Sequence, residues 1–256
     1  MLKPSYFTLL SPDPIPIPQG GSVISPRLRD ISAIGYDTYQ HYLSVLIMDI
    51  KTYFAMLGQQ ETFDLLSDEE KAKWNIFDCL LSIQQTRILL QDILNFFLRE
   101  DVIYSPGRHG FLVQEQNQEI GVITAENYPV ICDLICKRNC IQSRTETTLS
   151  KVKSKKALEI IKKLQKGRAE KNRQTKADKN MELGNIISAV AGKSPTLNLI
   201  NIWDLTVFQL WDCFSRLSHN AIYAIQSMSV AAWGNKDNYF DAAAWFQRID
   251  TDNPIT

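Results

Sequence analysis

The stretch from Lys151 to Lys179 constrains this chain more than any other, because it cannot furnish a hydrophobic core. It holds twelve Lys or Arg against three Asp or Glu, a net of +9, and contains no aromatic residue. The formal net charge of all 256 residues is zero, so the remainder carries −9. Leu158, Ile161 and Leu164 give weak helical spacing, and Gly167 to Asn180 is almost wholly polar. Residues 146–180 therefore read as a basic linker or exposed helix between two apolar regions. The chain as a whole is an ordinary globular sequence, 45% hydrophobic and 22% charged, long enough to bury a substantial core.

The first apolar region opens with an extended arm over residues 1–30. Pro12, Pro14, Pro16 and Pro18 each lack a backbone donor and fix their own φ, which bars them from a helix interior or a central strand. A helical domain is expected over 31–145. Ile34, Tyr42, Leu46 and Tyr53, beside Leu43, Ile47, Ile50 and Phe54, form one broad stripe from Ser32 to Gly58. Ser67, with Glu70 three residues on, predicts a capping box. The helix it starts should run through Trp74, Phe77, Leu81, Ile88, Ile93 and Phe97 to Arg99–Glu100.

The period then changes to short β-prone runs. Val102–Tyr104, Gly110–Val113 and Ile120–Ile123, punctuated by Ser105-Pro106-Gly107 and Gln116-Asn117-Gln118, suit a small antiparallel meander near 101–124. A helix from Glu126 to Asn139 should follow, with Pro129 in its first turn. Residues 181–256 read as an aromatic-rich helical region, with helices at Met181–Val190, Leu205–Ser218, Ala221–Trp233 and Asp241–Ile249. The expected fold class is mainly α with a small antiparallel β hairpin or meander insertion, α+β overall.

No side-chain pattern points to catalysis, a cofactor or a metal. His41, His109 and His219 fall in three separate elements, and the GxSxG and GxxxxGK[ST] motifs are absent. Cys132, Cys136 and Cys140 share one helix face, an arrangement that does not surround a tetrahedral ion. Five cysteines, an odd number, suit a reducing compartment better than a disulfide scaffold. No apolar run is long enough to span a membrane, and the prolines after Phe7–Leu10 make a poor signal peptide.

What remains is binding. Trp203, Phe208, Trp211, Phe214, Trp233, Trp245 and Phe246 are more large rings than a thin helical layer needs, and large rings commonly anchor interfaces. These seven are the candidate partner-binding residues. Lys151, Lys153, Lys155, Lys156, Lys162, Lys163, Lys166 and Arg168 are candidates for phosphate or acidic-partner contacts. A nucleic-acid role is less favoured, since the stretch offers no ring on which bases could stack.

The run Asn198-Leu199-Ile200-Asn201-Ile202-Trp203-Asp204-Leu205-Thr206-Val207-Phe208-Gln209-Leu210-Trp211-Asp212 resembles a segment of bacteriophage tail assembly chaperones from phages of Gram-positive hosts. Ala231-Ala232-Trp233-Gly234 and Phe240-Asp241-Ala242-Ala243-Ala244-Trp245-Phe246 look like its continuation, and Gly121 to Tyr128 is similar in style. The resemblance implies a non-enzymatic assembly factor in the host cytoplasm that coats the helical tape measure protein and recruits tail tube subunits. A structural virion component, such as a baseplate or connector subunit, is the alternative. Self-association is open on either reading.

Overall fold

A computed structural model describes residues 4–141, 179–235 and 240–247, with Lys179 described at its backbone alone. The chain divides into two compact units. One comprises Met1–Ser143 with Asp204–Phe208, the other Arg144–Trp203 with Gln209–Thr256. Helices predominate and the strands form two small antiparallel sheets, the α+β class expected. The basic segment expected over 146–180 lies outside the described residues except for its last two positions.

The N-terminal residues, expected as an extended arm, are partly extended but built into the first unit. Helix α1 (Tyr6–Leu10) is capped by Ser5, whose hydroxyl accepts from Thr8 N at 3.1 Å. Strands β1 (Ile15–Ile17) and β2 (Gly21–Val23) pair antiparallel, burying Ile15, Ile17 and Val23 while Pro16 faces out. Proline is compatible with this because β1 is an edge strand of three residues. The opposite side of β2 is paired too. Arg99 N donates to Ser22 O at 3.0 Å and Ile24 N to Phe97 O at 2.9 Å.

Seven short helices replace the two long ones expected between Ser32 and Glu100. They are α2 (Leu28–Ile34), α3 (Tyr36–Leu46), α4 (Ile50–Met56), α5 (Gln60–Leu65), α6 (Asp68–Lys71), α7 (Ile76–Ser82) and α8 (Gln84–Phe97). Several breaks have a local cause. Gly35 takes φ 88°, which ends α2 and turns the chain into α3. Asp49 and Asn75 turn their side chains onto Thr52 N (2.7 Å) and Phe77 N (2.8 Å), starting new helices. The capping box is present, Ser67 N donating to Glu70 at 2.8 Å, but the helix it starts is one turn long. Apolar periodicity survives the breaks because successive short helices present their apolar sides to one core. Phe77, Leu90, Ile93, Leu94 and Phe97 are all fully buried.

The expected meander follows as β3 (Asp101–Ser105), β4 (Gly110–Glu115) and β5 (Gln118–Ile123). Gln116 and Asn117 both adopt positive φ, the geometry that matches a tight hairpin to strand twist. Helix α8 closes the free edge of β3. Asn95 accepts from Val102 N at 2.7 Å and donates to Val102 O at 3.0 Å, and Gln91 accepts from Tyr104 N at 2.8 Å. At Gly121 of β5, the backbone of Gln19 approaches so closely that a Cβ would sit 2.3 Å from its carbonyl oxygen. Helix α9 (Tyr128–Arg138) completes the layer over the core, close to its expected span. Segment 204–208 joins this unit through Leu28 N donating to Leu205 O at 2.9 Å, and through ion pairs of Arg27 and Arg29 with Asp204.

In the second unit, α10 (Leu183–Lys193) buries Leu183, Ile186, Ile187 and Val190 at i, i+3, i+4, i+7 spacing. Helix α11 (Val207–Trp233) corrects another expectation, because the two helices expected there are one. The expected helices left His219 and Asn220 between them, the first ending at Ser218. Instead Ser218 Oγ donates to Phe214 O at 2.9 Å, and His219 Nδ1 lies 2.8 Å from Ser215 O. Both side chains fold back on their own helix. Gly234, at φ 80°, ends it with its N–H on Val230 O at 2.8 Å. The helix expected over Asp241–Ile249 is a single 3-10 turn, Ala244–Phe246, within the residues described there.

Candidate partner-binding surface

The seven aromatic residues singled out from sequence do not form one face. Phe208 is a correction: it is only 6% exposed, and its ring centroid lies 6.1 Å from that of Tyr6 in the first unit's core. Trp203 is half-buried, with its indole N–H donating to Leu199 O at 2.9 Å. Trp211 and Phe214 are half-buried on α11 and meet edge to face at 5.8 Å, a packing pair. Trp245 and Phe246, 5.1 Å apart, are exposed together in the C-terminal segment. Trp233, 79% exposed, stands at the end of α11.

Three residues that the sequence reading passed over complete a surface around Trp233. Ile222, Ile225 and Met228 are 55%, 66% and 64% exposed on the same helix. At 100° per residue, Ile222, Ile225 and Trp233 fall within an arc of roughly 80°, with Met228 on its flank. The segment 240–247 returns along a different side. There the Phe240 ring lies 5.3 Å from that of Tyr223 in a tilted pair, Tyr223 Oη donates to Ala242 O at 3.4 Å, and Arg216 donates to Gln247 O at 2.7 Å. The isoleucine and tryptophan stripe is left outside that packing.

The signal for the stripe was present but aliphatic. From Leu217 to Trp233 there is no Asp, Glu, Lys or Arg. A helix of that length with no charge ordinarily lies inside a core, whereas here one side faces water. Searching for rings alone finds Trp233 and misses the isoleucines.

Groups with reactive potential are arranged for packing. Cys132 and Cys136 are buried in α9, and burial drives both thiols upward, Cys136 to about 12. A thiol so placed stays protonated near neutral pH and is a poor nucleophile or ligand. Among the described residues no group of three or more His, Cys, Asp or Glu is placed to hold a metal ion. His109 lies 3.4 Å from Asp78, with both side chains well exposed. Arg138 is a buried lock: its guanidinium donates to Asp13 O at 2.5 Å, tying α9 to the N-terminal segment, and burial lowers its pKa to about 10. Lys151, Lys153, Lys155, Lys156, Lys162, Lys163, Lys166 and Arg168 all lie outside the described residues.

No helix among the described residues is long and apolar enough to cross a membrane. No curated protein and no solved structure matches this chain. Residues 171–250, which include the whole exposed stripe of α11, match the family described as the YomV second domain, whose name is phage-derived.

Proposed function

We propose that this chain is a non-catalytic phage assembly protein, a tail assembly chaperone or adaptor that holds a helical client on the exposed face of α11. The carrying observation is the Ile222, Ile225, Met228 and Trp233 stripe, which lies inside the segment matching a phage-derived family. A groove or face of aliphatic and aromatic side chains recognises the apolar side of a helix at i, i+3, i+4, i+7 spacing. The tape measure protein is the client this reading favours, with tail tube subunits recruited to the assembly afterwards in the host cytoplasm. Such a client must later be released, so a face with few directional polar contacts suits the task.

A structural role in the virion has less support. It drew on a free N-terminal arm able to lace a neighbouring subunit, and Ile15, Ile17 and the lock at Arg138 commit that segment to its own unit. Co-expression with the phage's tape measure protein tests the proposal. Wild-type protein should copurify with it, and Ile225→Glu should weaken capture about 100-fold by placing an unpaired carboxylate in an apolar contact. Capture that is indifferent to Ile225→Glu removes α11 as the client face. The protein's presence in purified particles, read by mass spectrometry, would favour the virion role instead.

A further inference from the structure

We infer that the exposed stripe of α11 also pairs with the same stripe of a second copy, so that the free protein is a two-fold dimer whose interface occludes its own client face. The inference rests on the proposed function for the client alone; the dimer follows from the helix itself.

Two-fold symmetry sets a particular demand. Each patch must be complementary to itself, because every residue on one copy meets the surface it belongs to on the other. A charged patch meets like charge under that operation unless its charges are arranged in alternation, which is how proteins guard against self-pairing. Leu217 to Trp233 carries no such guard, since it has no charged side chain at all. The chain as a whole is 22% charged, so the omission is local.

Shape points the same way. Along the stripe the order is Ile222, Ile225, Ser229, Trp233, with the small serine between large residues. Antiparallel pairing centred between Ser227 and Met228 sets Trp233 of one copy beside Ile222 of the other and brings Ile225 near Ser229. Large then meets large at the ends, and large meets small near the middle, which lets the two backbones approach. The four exposed side chains offer on the order of 500 Å² of apolar surface per copy, the upper range of what monomers leave in water. With the small residues between them the contact approaches the ~800 Å² per partner of stable complexes, and it falls short enough to remain reversible.

Sedimentation equilibrium of the full chain over a micromolar concentration range tests this. Wild type should show a monomer–dimer equilibrium. Ile225→Glu should raise the dimer dissociation constant about 100-fold or more, while Leu65→Glu, at a still more exposed apolar residue of the first unit, should leave it unchanged. Both positions are solvent-facing, and circular dichroism should report an intact fold for each variant. A wild type that stays monomeric, or an Ile225→Glu that dimerises as wild type does, overturns the inference. A monomer that still captures tape measure protein sinks the dimer and leaves the function standing. A dimer that never captures it does the reverse.

Discussion

The first unit and the second half of α11 treat exposed bonding potential in opposite ways. In the first unit the edges of β1, β2 and β3 are blunted or occupied. Asn95 and Gln91 satisfy the edge of β3, Pro16 interrupts β1, and the residues around Leu98 pair with β2. Its buried Glu100 carboxylate is engaged as well, accepting from Ser22 N at 2.7 Å. On α11 the side chains of Ile222, Ile225, Met228 and Trp233 are left facing water, in a stretch without a charged residue. Sealed edges serve a unit that must stay itself. On the proposed function, an unsealed helix face serves one that meets a client.

That contrast is broken most severely from the core. Phe97 is fully buried, with its ring centroid 4.9 Å from Phe96 and 6.4 Å from Tyr39. Phe97→Ala should cost about 3–5 kcal/mol, read as a shift of the urea midpoint of the first unit with little change in capture by any protein that remains folded. A loss under ~1 kcal/mol would mean that the sealed unit is not well packed.

Unsealing one edge should have a smaller and more specific effect. Asn95→Ala leaves Val102 N and O without their side-chain partners. About 1–2 kcal/mol of stability should be lost, together with new concentration-dependent aggregation as β3 becomes a free edge. If Asn95→Ala unfolds reversibly at high concentration without associating, the edge was never a hazard and α8 guards nothing there.

How much of this was legible in the sequence depends on where each interaction is made. The meander read correctly because its signals are local: two Gly- or Asn-containing turns and alternating β-branched residues lie within a few positions of the strands they join. The α9 start, with Pro129 in its first turn, was local too. Helix lengths failed because periodicity records which side of a helix meets the core and says nothing about continuity across a break. Gly35, Asp49 and Asn75 each interrupt the backbone without disturbing the apolar rhythm. Conversely, the helix expected to end at Ser218 runs on, with Ser218 and His219 bonded back to their own helix. Phe208 could not have been placed by sequence spacing, since its partner Tyr6 lies near the other end of the chain. The exposed stripe was half visible through Trp233. Its isoleucines stayed hidden because exposure depends on where the 240–247 segment returns, at Tyr223 and Arg216, a tertiary fact.

The mildest substitution draws the sharpest line between the two regions. Trp233 is 79% exposed and makes little packing contact, so Trp233→Ala should change folding stability by less than about 0.5 kcal/mol. The sign can even favour the variant, because alanine has the higher helix propensity and α11 ends at this residue. Association should respond differently: removing an exposed indole from an apolar stripe should weaken it by about 2 kcal/mol, close to 30-fold. Stability by urea titration at dilute concentration and association by sedimentation therefore separate in one variant, where Phe97→Ala moves the first far more than the second. If Trp233→Ala lowers stability by several kcal/mol and leaves association untouched, the tryptophan belongs to the packing of α11, and the helix has no more of an open face than the unit that precedes it.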